Sequence, residues 1–444
     1  MNETARLATR IASADFDAVP MNAREVSKQA LMDFIGVTIA GMEEPLARIL
    51  REDAAEQGGH AQATIIGTAD KVSVQQAALI NGSAGHAHDY DDVQMDMSGH
   101  PTVPVAPVVL ALAEQNGQSG KDVITAFAAG VDAECIISRF AGASHYQQGW
   151  HSTGTMGSFG AAAAAAVMLG LDDHQTALAL GIAGTQAAGL KAQFGTMCKP
   201  LHAGHAAATG TQAATLAAKG FTSRDDILEV EQGFVDTQSS SADPTKFDRA
   251  LQVPAYTPDI CFKYHAACYM THSAIEATNN LCNRNAFDPN QIKSVTVLVD
   301  EGHFKVCNIA EPKSGLEAKF SLRFTVAMAL AGVDTSSIDI FTDELTQDPA
   351  LTRFRDLVTV QAHETKNPDT IVKIETLDGQ IHTESFNVAV PMTDLDQQWD
   401  KLERKFRALV TPRLGEARSN ELIGLCHKLD QLDDLTPLFI ALGG

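Results

Sequence analysis

Ser294-Val-Thr-Val-Leu-Val-Asp300 is a run of β-branched and apolar residues, a composition that suits a pleated, half-buried strand. It decides the fold class because almost everything before it reads as helix. From 22 to 40, Val26, Leu31, Phe34, Ile35 and Ile39 recur at roughly helical spacing, with Asn22 placed as the cap. Segments 72–92, 103–116, 120–138, 154–169, 173–190 and 202–219 also read as helices, rich in Ala and Gly and separated by Gly and Ser. After the run, 316–330 suits another helix, and Thr370-Ile-Val-Lys-Ile-Glu-Thr376 alternates ahead of an Asp378-Gly379 turn, as a hairpin does. Helices return from Asp394, where Leu402, Phe406, Leu409, Leu422 and Leu425 are spaced to pack back on the first part. The expected fold is therefore mainly α with a smaller α+β domain. A large all-helical domain over 1–264 is completed by 395–444, and residues 265–394 form an inserted domain with an antiparallel sheet.

Composition narrows the function classes. At 444 residues and 45% hydrophobic, the chain exceeds one ordinary domain and has material for a large core. Its formal charge of −22 and pI near 5.0 repel nucleic acid and anionic membranes at long range, so neither is expected as a partner. An anionic substrate would need a local basic pocket. No cationic segment followed by an apolar one opens the chain, and the most apolar stretch, 160–170, is alanine-dominated and too short to span a bilayer. A soluble, cytoplasmic protein is expected. Seven cysteines with no CxxC pair argue against a disulfide framework or a zinc ribbon, so the thiols should be reduced.

The densest polar cluster is His86-Ala-His88-Asp89-Tyr90-Asp91-Asp92, followed by His100-Pro101. If the segment is still helical, His86 and Asp89 share a face, and the carboxylate can orient the imidazole for acid/base chemistry. Side chains that merely satisfy a helix C-terminus are the structural alternative, and a zinc, manganese or iron site is a second. His151-Ser152-Thr153 precedes a Gly- and Ala-rich helix whose N-terminus attracts carboxylates, although Ser152 and Thr153 also suit simple caps. Lys199, beside Pro200 and followed by His202 and His205, is a candidate for a substrate carboxylate, though an exposed lysine is the ordinary case. Lys263-Tyr-His265-Ala-Ala-Cys268 lies where the helical part meets the β part, a common place for a cleft. Cys268 there is a nucleophile or a buried apolar residue.

Asn81-Gly-Ser-Ala-Gly-His-Ala-His-Asp-Tyr-Asp-Asp92, His100-Pro101, His151-Ser-Thr-Gly154, Lys199-Pro-Leu-His-Ala-Gly204 and Glu317-Ala-Lys-Phe-Ser321 together resemble the MmgE/PrpD family in order and spacing. The resemblance implies a helical domain with a smaller α+β lid, a homodimer, and activities such as 2-methylcitrate dehydratase, cis-aconitate decarboxylase or iminodisuccinate epimerase. It places Asp89, His100, His151, Lys199 and Lys263 around the substrate, with Cys268 where decarboxylase-like members carry histidine and Val93 where they carry threonine.

The expected function is a cofactor-free, metal-independent lyase acting on a small di- or tricarboxylate, with dehydration of a 2-methylcitrate-like compound first and epimerisation or decarboxylation as alternatives. His100, His151 and Asp89 are the candidate catalytic residues, and Lys199, Lys263, Cys268 and His86 the candidate substrate-binding ones. A metal-dependent hydrolase using the 86–92 cluster and a non-catalytic binding protein are the rival classes. An iron–sulfur dehydratase is disfavoured because no ferredoxin-like cysteine series is present.

Overall fold

A computed structural model describes residues 2–285 and 287–443. The chain forms two compact units, one of Met1–Phe262 with Met392–Gly444 and the other of Lys263–Pro391. No helix among the described residues is long and apolar enough to cross a membrane.

The first unit is a stack of helices that includes Met21–Gly41, Val74–Gly85, Thr102–Asn116, Gly120–Ala141, Ser152–Met168 and Cys198–Ala218. Ala161 to Ala165 are fully buried; side chains this small let neighbouring helices approach closely, and the Ser152–Met168 helix packs against both Gly120–Ala141 and Cys198–Ala218. Two short antiparallel ladders interrupt the expected all-helical domain, Ala63–Thr64 with Lys71–Val72 and Val93–Gln94 with Ile260–Cys261. Asn22 is not the cap of its helix. Pro20 holds that position without a side-chain bond, and Asn22 turns its amide oxygen to the N–H of Ala23.

The helix expected over 72–92 starts with a capping box between Ser73 and Gln76 and stops at Gly85. Asp89 then adopts a left-handed backbone, φ 51°, a conformation uncommon outside glycine but tolerated by Asp. Residues 86–92 are thus a tight turn and no longer a helical face.

This turn is held from behind by the C-terminal helix Leu395–His427, which packs along Met21–Gly41. Its Lys405 is completely buried, bonded to Asp33 at 2.6 Å and donating to the carbonyl of Tyr90 at 2.8 Å. Burial lowers the lysine pKa, and Asp33 opposes that shift.

In the second unit the strands Ile292–Val299 (β1), Val358–Ala362 (β2), Thr370–Thr376 (β3) and Ile381–Phe386 (β4) form one sheet in the order β2-β1-β3-β4. The β1–β3 and β3–β4 pairings are antiparallel as expected, but β1 and β2 run parallel, so the sheet is mixed. Parallel neighbours need a long crossover, and residues 300–357 supply it. Val295, Val297 and Val299 of β1 alternate inward with Val372 and Ile374 of β3, meeting Ala274, Ala277 and Leu281 of the helix Tyr269–Asn285. Each such buried side chain contributes about 1.5–3 kcal/mol for a Val or Ile, and a one-residue slip would expose the whole set. The helix expected over 316–330 is split into Gly315–Ala318 and Leu322–Leu330, because Ser321 caps the second piece by accepting from the N–H of Phe324.

Removing one member of a buried pair strands the other charge. Lys405→Ala should therefore destabilise the protein by about 3–5 kcal/mol, whereas the double replacement Asp33→Leu with Lys405→Met should recover most of that loss. Urea titration of the three proteins checks this, and a single variant as stable as wild type would contradict it.

Candidate active site

The turn after Gly85 brings together side chains that are far apart in sequence. Asp91 is the hub. One carboxylate oxygen lies 2.8 Å from His86 Nδ1, and the other lies 3.0 Å from that atom and 3.1 Å from His100 Nδ1. Burial alone would raise the Asp91 carboxyl, but the two imidazoles, by charge and by hydrogen bonding, outweigh burial and hold it well below the usual carboxylate range. An ionised carboxylate only accepts hydrogen bonds, so both facing ring nitrogens carry hydrogen. For His100 a second acceptor requires the same assignment, since its Nδ1 also lies 2.8 Å from the carbonyl oxygen of Asp92. The uncharged form of His100 then presents Nε2 with its lone pair.

That Nε2 faces Asp89 at 3.5 Å, and Lys199 Nζ approaches the same Asp89 oxygen at 2.9 Å. Lys199 lies in the first turn of the helix Cys198–Ala218, with Phe194 beneath its ammonium. His151 precedes the helix Ser152–Met168 and is its N-cap, making no side-chain cap bond. Its ring stacks on His86 at 6.0 Å between centroids and meets the edge of Phe194 at 4.9 Å. Neither Ser152 nor Thr153 is the cap; Thr153 instead accepts the N–H of His100 at 3.1 Å and ties the two segments together.

Five of the seven candidates, His86, Asp89, His100, His151 and Lys199, thus converge in the first unit. Their roles differ from the sequence reading in two respects. The sequence suggests His86 as a substrate contact, but its side chain is fully buried behind His100 and its Nε2 has no partner among the described residues. Burial pulls its pKa down to about 4, so at neutral pH it is an uncharged support. Helical spacing would pair Asp89 with His86; because the helix stops at Gly85, Asp91 takes that partner and Asp89 points to His100 and Lys199.

Asp92 is buried next to Asp91 yet is pushed the other way. Burial, with the neighbouring Asp33 and Asp91 charges, raises it to about 8 against a hydrogen bond from Thr102. Sequence inspection missed Asp91, Asp92 and Lys405 as distinct parts. The run of acids at 89–92 was visible, but which of them turns inward depends on the turn and on a lysine more than three hundred residues away.

Lys263 and Cys268 belong to the second unit, where Lys263 is buried. The loop carrying them is braced by His265, whose ring nitrogens contact Thr335 Oγ1 at 2.7 Å and Glu276 Oε1 at 3.1 Å. The N–H of Cys268 donates to the carbonyl of Lys319 at 3.0 Å, within the Glu317–Ser321 motif. The Cys268 thiol packs against the apolar cluster, and its hydrogen bond, with burial, pushes the Cys307 thiol up. All seven cysteines are free thiols.

His86, Asp89, Asp91 and His100 also form a group whose ligand-type atoms lie within 4.8 Å of one another. Asp91 already accepts from both imidazoles and the Lys199 ammonium already neutralises Asp89, so a divalent cation would have to displace three existing interactions.

The chain matches the model of the MmgE/PrpD N-terminal domain over residues 5–246 and that of the MmgE/PrpD C-terminal domain over residues 265–431. It is 27% identical to a cis-aconitate decarboxylase of Mus musculus, with 94% of this chain and 88% of the relative aligned. A cis-aconitate decarboxylase of Aspergillus terreus is also 27% identical, over 95% and 92% of the two chains, and one of Homo sapiens is 26% identical over 94% and 90%.

A buried histidine next to the site gives a pH test. His145 contacts Thr155 Oγ1 at 2.8 Å in the first turn after His151, and burial pulls its pKa down to about 4 despite its bond to the carbonyl of Gln238. Its folded pKa lies below its unfolded value of 6.5, so the stability linked to it is full above pH 6.5 and drains as pH falls towards 4. Asp92 has the opposite sign, hence the test is differential. Between pH 7 and pH 5, His145→Gln should lose about 2 kcal/mol less stability than wild type. Parallel urea-unfolding curves for the two proteins at both pH values would contradict this.

Proposed function

The chain belongs to the MmgE/PrpD family, and from that premise we propose that the site is that of a lyase acting on a small di- or tricarboxylate without a metal. The observation that carries the reading is the clamp on His100. A ring whose Nδ1–H is held by Asp91 and the Asp92 carbonyl presents Nε2 as a base beside a lysine charge. Lys199 binds a substrate carboxylate, since a charge-assisted hydrogen bond is roughly twice as strong as a neutral one. His100 Nε2 removes the proton from the carbon next to that carboxylate. The electron pair left behind spreads onto carboxylate oxygens, where a fixed cation stabilises it best. As the double bond forms the carbon–oxygen bond breaks, and the leaving hydroxyl takes a proton from His151 Nε2 and departs as water. Hydration is the same path reversed.

In this reading His86 positions Asp91 and the rings of His100 and His151, and Asp89 holds Lys199 until substrate arrives. Lys263 and Cys268 are assigned to the substrate by family resemblance. Dehydration of a 2-methylcitrate-like compound is the first reading. Decarboxylation of the cis-aconitate type is the second, favoured by the names of the similar chains; Cys268 and Val93, where such members carry histidine and threonine, weigh against it.

Proton NMR in D₂O of chelator-treated enzyme offered 2-methylcitrate, citrate, cis-aconitate or iminodisuccinate separately tests the proposal. An alkene signal from 2-methylcitrate is expected, itaconate from cis-aconitate would establish the second reading, and deuterium entry with inversion would make the enzyme an epimerase. Silence with all four, relieved by a divalent metal on another substrate, would overturn it. On the substrate turned over, Lys199→Met should raise KM by at least about ten-fold, and His151→Gln should lower turnover by roughly 10²–10⁴-fold; wild-type values for either would remove that residue from its role.

A further inference from the structure

His151 poses a problem for any scheme that makes it an acid. Burial, then the charges of His86, His100, Lys199 and His202, pull its pKa down to about 2, so at neutral pH it holds no imidazolium proton to give. The geometry around it contains an answer. Its Nδ1 lies 3.1 Å from Nδ1 of His202, with ring centroids 5.3 Å apart. His202 is itself lowered by burial, with His205 adding to the effect, so the pair is uncharged. Two facing ring nitrogens at this distance need one hydrogen between them. The two neutral rings hold two hydrogens in all, so the second must sit on one of the outer Nε2 atoms. Neither Nε2 has a hydrogen-bond partner among the described residues.

The contact is built into the backbone. Gly189 has φ 144°, accepts the N–H of His151 through its carbonyl at 3.0 Å, and would bring a Cβ within 3.3 Å of the His202 ring. A Cβ at Gly154 would meet the Ala188 carbonyl at 2.5 Å and His202 Cβ at 3.2 Å. Two glycines thus let the helix carrying His202 approach the His151 segment closely enough for the rings to touch. His202 is half-buried and can exchange with solvent at its outer edge.

We propose that His202 is the outer half of a two-histidine proton relay that loads His151 from solvent and so makes His151 the acid of the site. The inference rests on the lyase reading above and deepens it. When His151 Nε2–H passes to the leaving hydroxyl, the hydrogen on His202 Nδ1 moves to His151 Nδ1, and a solvent proton enters at His202 Nε2. One proton reaches the substrate, one is taken from solvent, and neither ring becomes charged. The proton that His100 takes from carbon returns to solvent, so the cycle balances. Afterwards the pair is in its other tautomer, and it resets when water in the emptied site returns a proton to His151 Nε2 as His202 Nε2 releases one. His202 acts through His151 and never touches the substrate.

The test has a part that needs no substrate. In ¹⁵N-histidine NMR of the free protein at pH 7, a nitrogen–nitrogen coupling between the two Nδ1 atoms and two uncharged rings are expected. An imidazolium at either position, or no coupling, would overturn the relay whatever the enzyme acts on. On the substrate turned over, His202→Ala should lower kcat by about 10²-fold with KM within two-fold, and added imidazole should restore part of the rate. His202→Gln preserves bulk and, through its amide N–H, a donor for His151 Nδ1, but cannot take up and pass on a proton, so it should be folded and equally slow. Wild-type kcat in His202→Gln would refute the relay while leaving the lyase reading intact. Absence of turnover in wild type, with the coupling present, would instead remove the lyase reading and the relay's catalytic role together.

Discussion

The site depends on one buried carboxylate that stays ionised. Asp91 is 2% exposed, where a lone negative charge would be costly, and it is stabilised there by the N–H groups of two imidazoles. That exchange fixes more than a charge. It sets the tautomer of His100, turns the basic edge of that ring towards Asp89 and Lys199, and places His86 as an uncharged backing, tilted against His100 and stacked on His151.

The neighbouring carboxyl shows how narrowly this is arranged. Asp91 and Asp92 are adjacent and equally buried, yet one is held far below the ordinary range and the other is raised to about 8. Two like charges this close in a low dielectric do not both persist. The imidazoles select Asp91 as the ion, and Asp92 is left with the Thr102 hydroxyl. The carbonyl of Tyr90, next in the same turn, is held by Lys405, so the C-terminal helix shapes the candidate site from behind through a buried contact.

Much of this was legible in the sequence, and the reasons for the rest are physical. Helices with local apolar periodicity are legible because their signal lies within a few turns of chain: 103–116 matches Thr102–Asn116 to one residue, and 120–138 matches Gly120–Ala141 to three. The β-branched run at 294–300 and the alternation at 370–376 gave β1 and β3 for the same reason. The parallel β1–β2 pairing was not readable, since Val358–Ala362 is short and its partner lies more than fifty residues away. In the site, residue types and motif order pointed to Asp89, His100, His151 and Lys199, which the fold brings together. Asp91, Lys405 and His202 needed the structure, because each acts through a contact across the turn or across helices. Asn22 shows the converse: a residue with cap chemistry lying one position inside a helix that starts without a side-chain cap.

The central claim is the position of a few hydrogens, and a neutron diffraction structure of the ligand-free protein at neutral pH tests it most directly. The account predicts deuterium on Nδ1 of both His86 and His100 and none on either oxygen of Asp91. Deuterium on Asp91 with a bare Nδ1 on His100 would contradict it, and with it the assignment of His100 as the base.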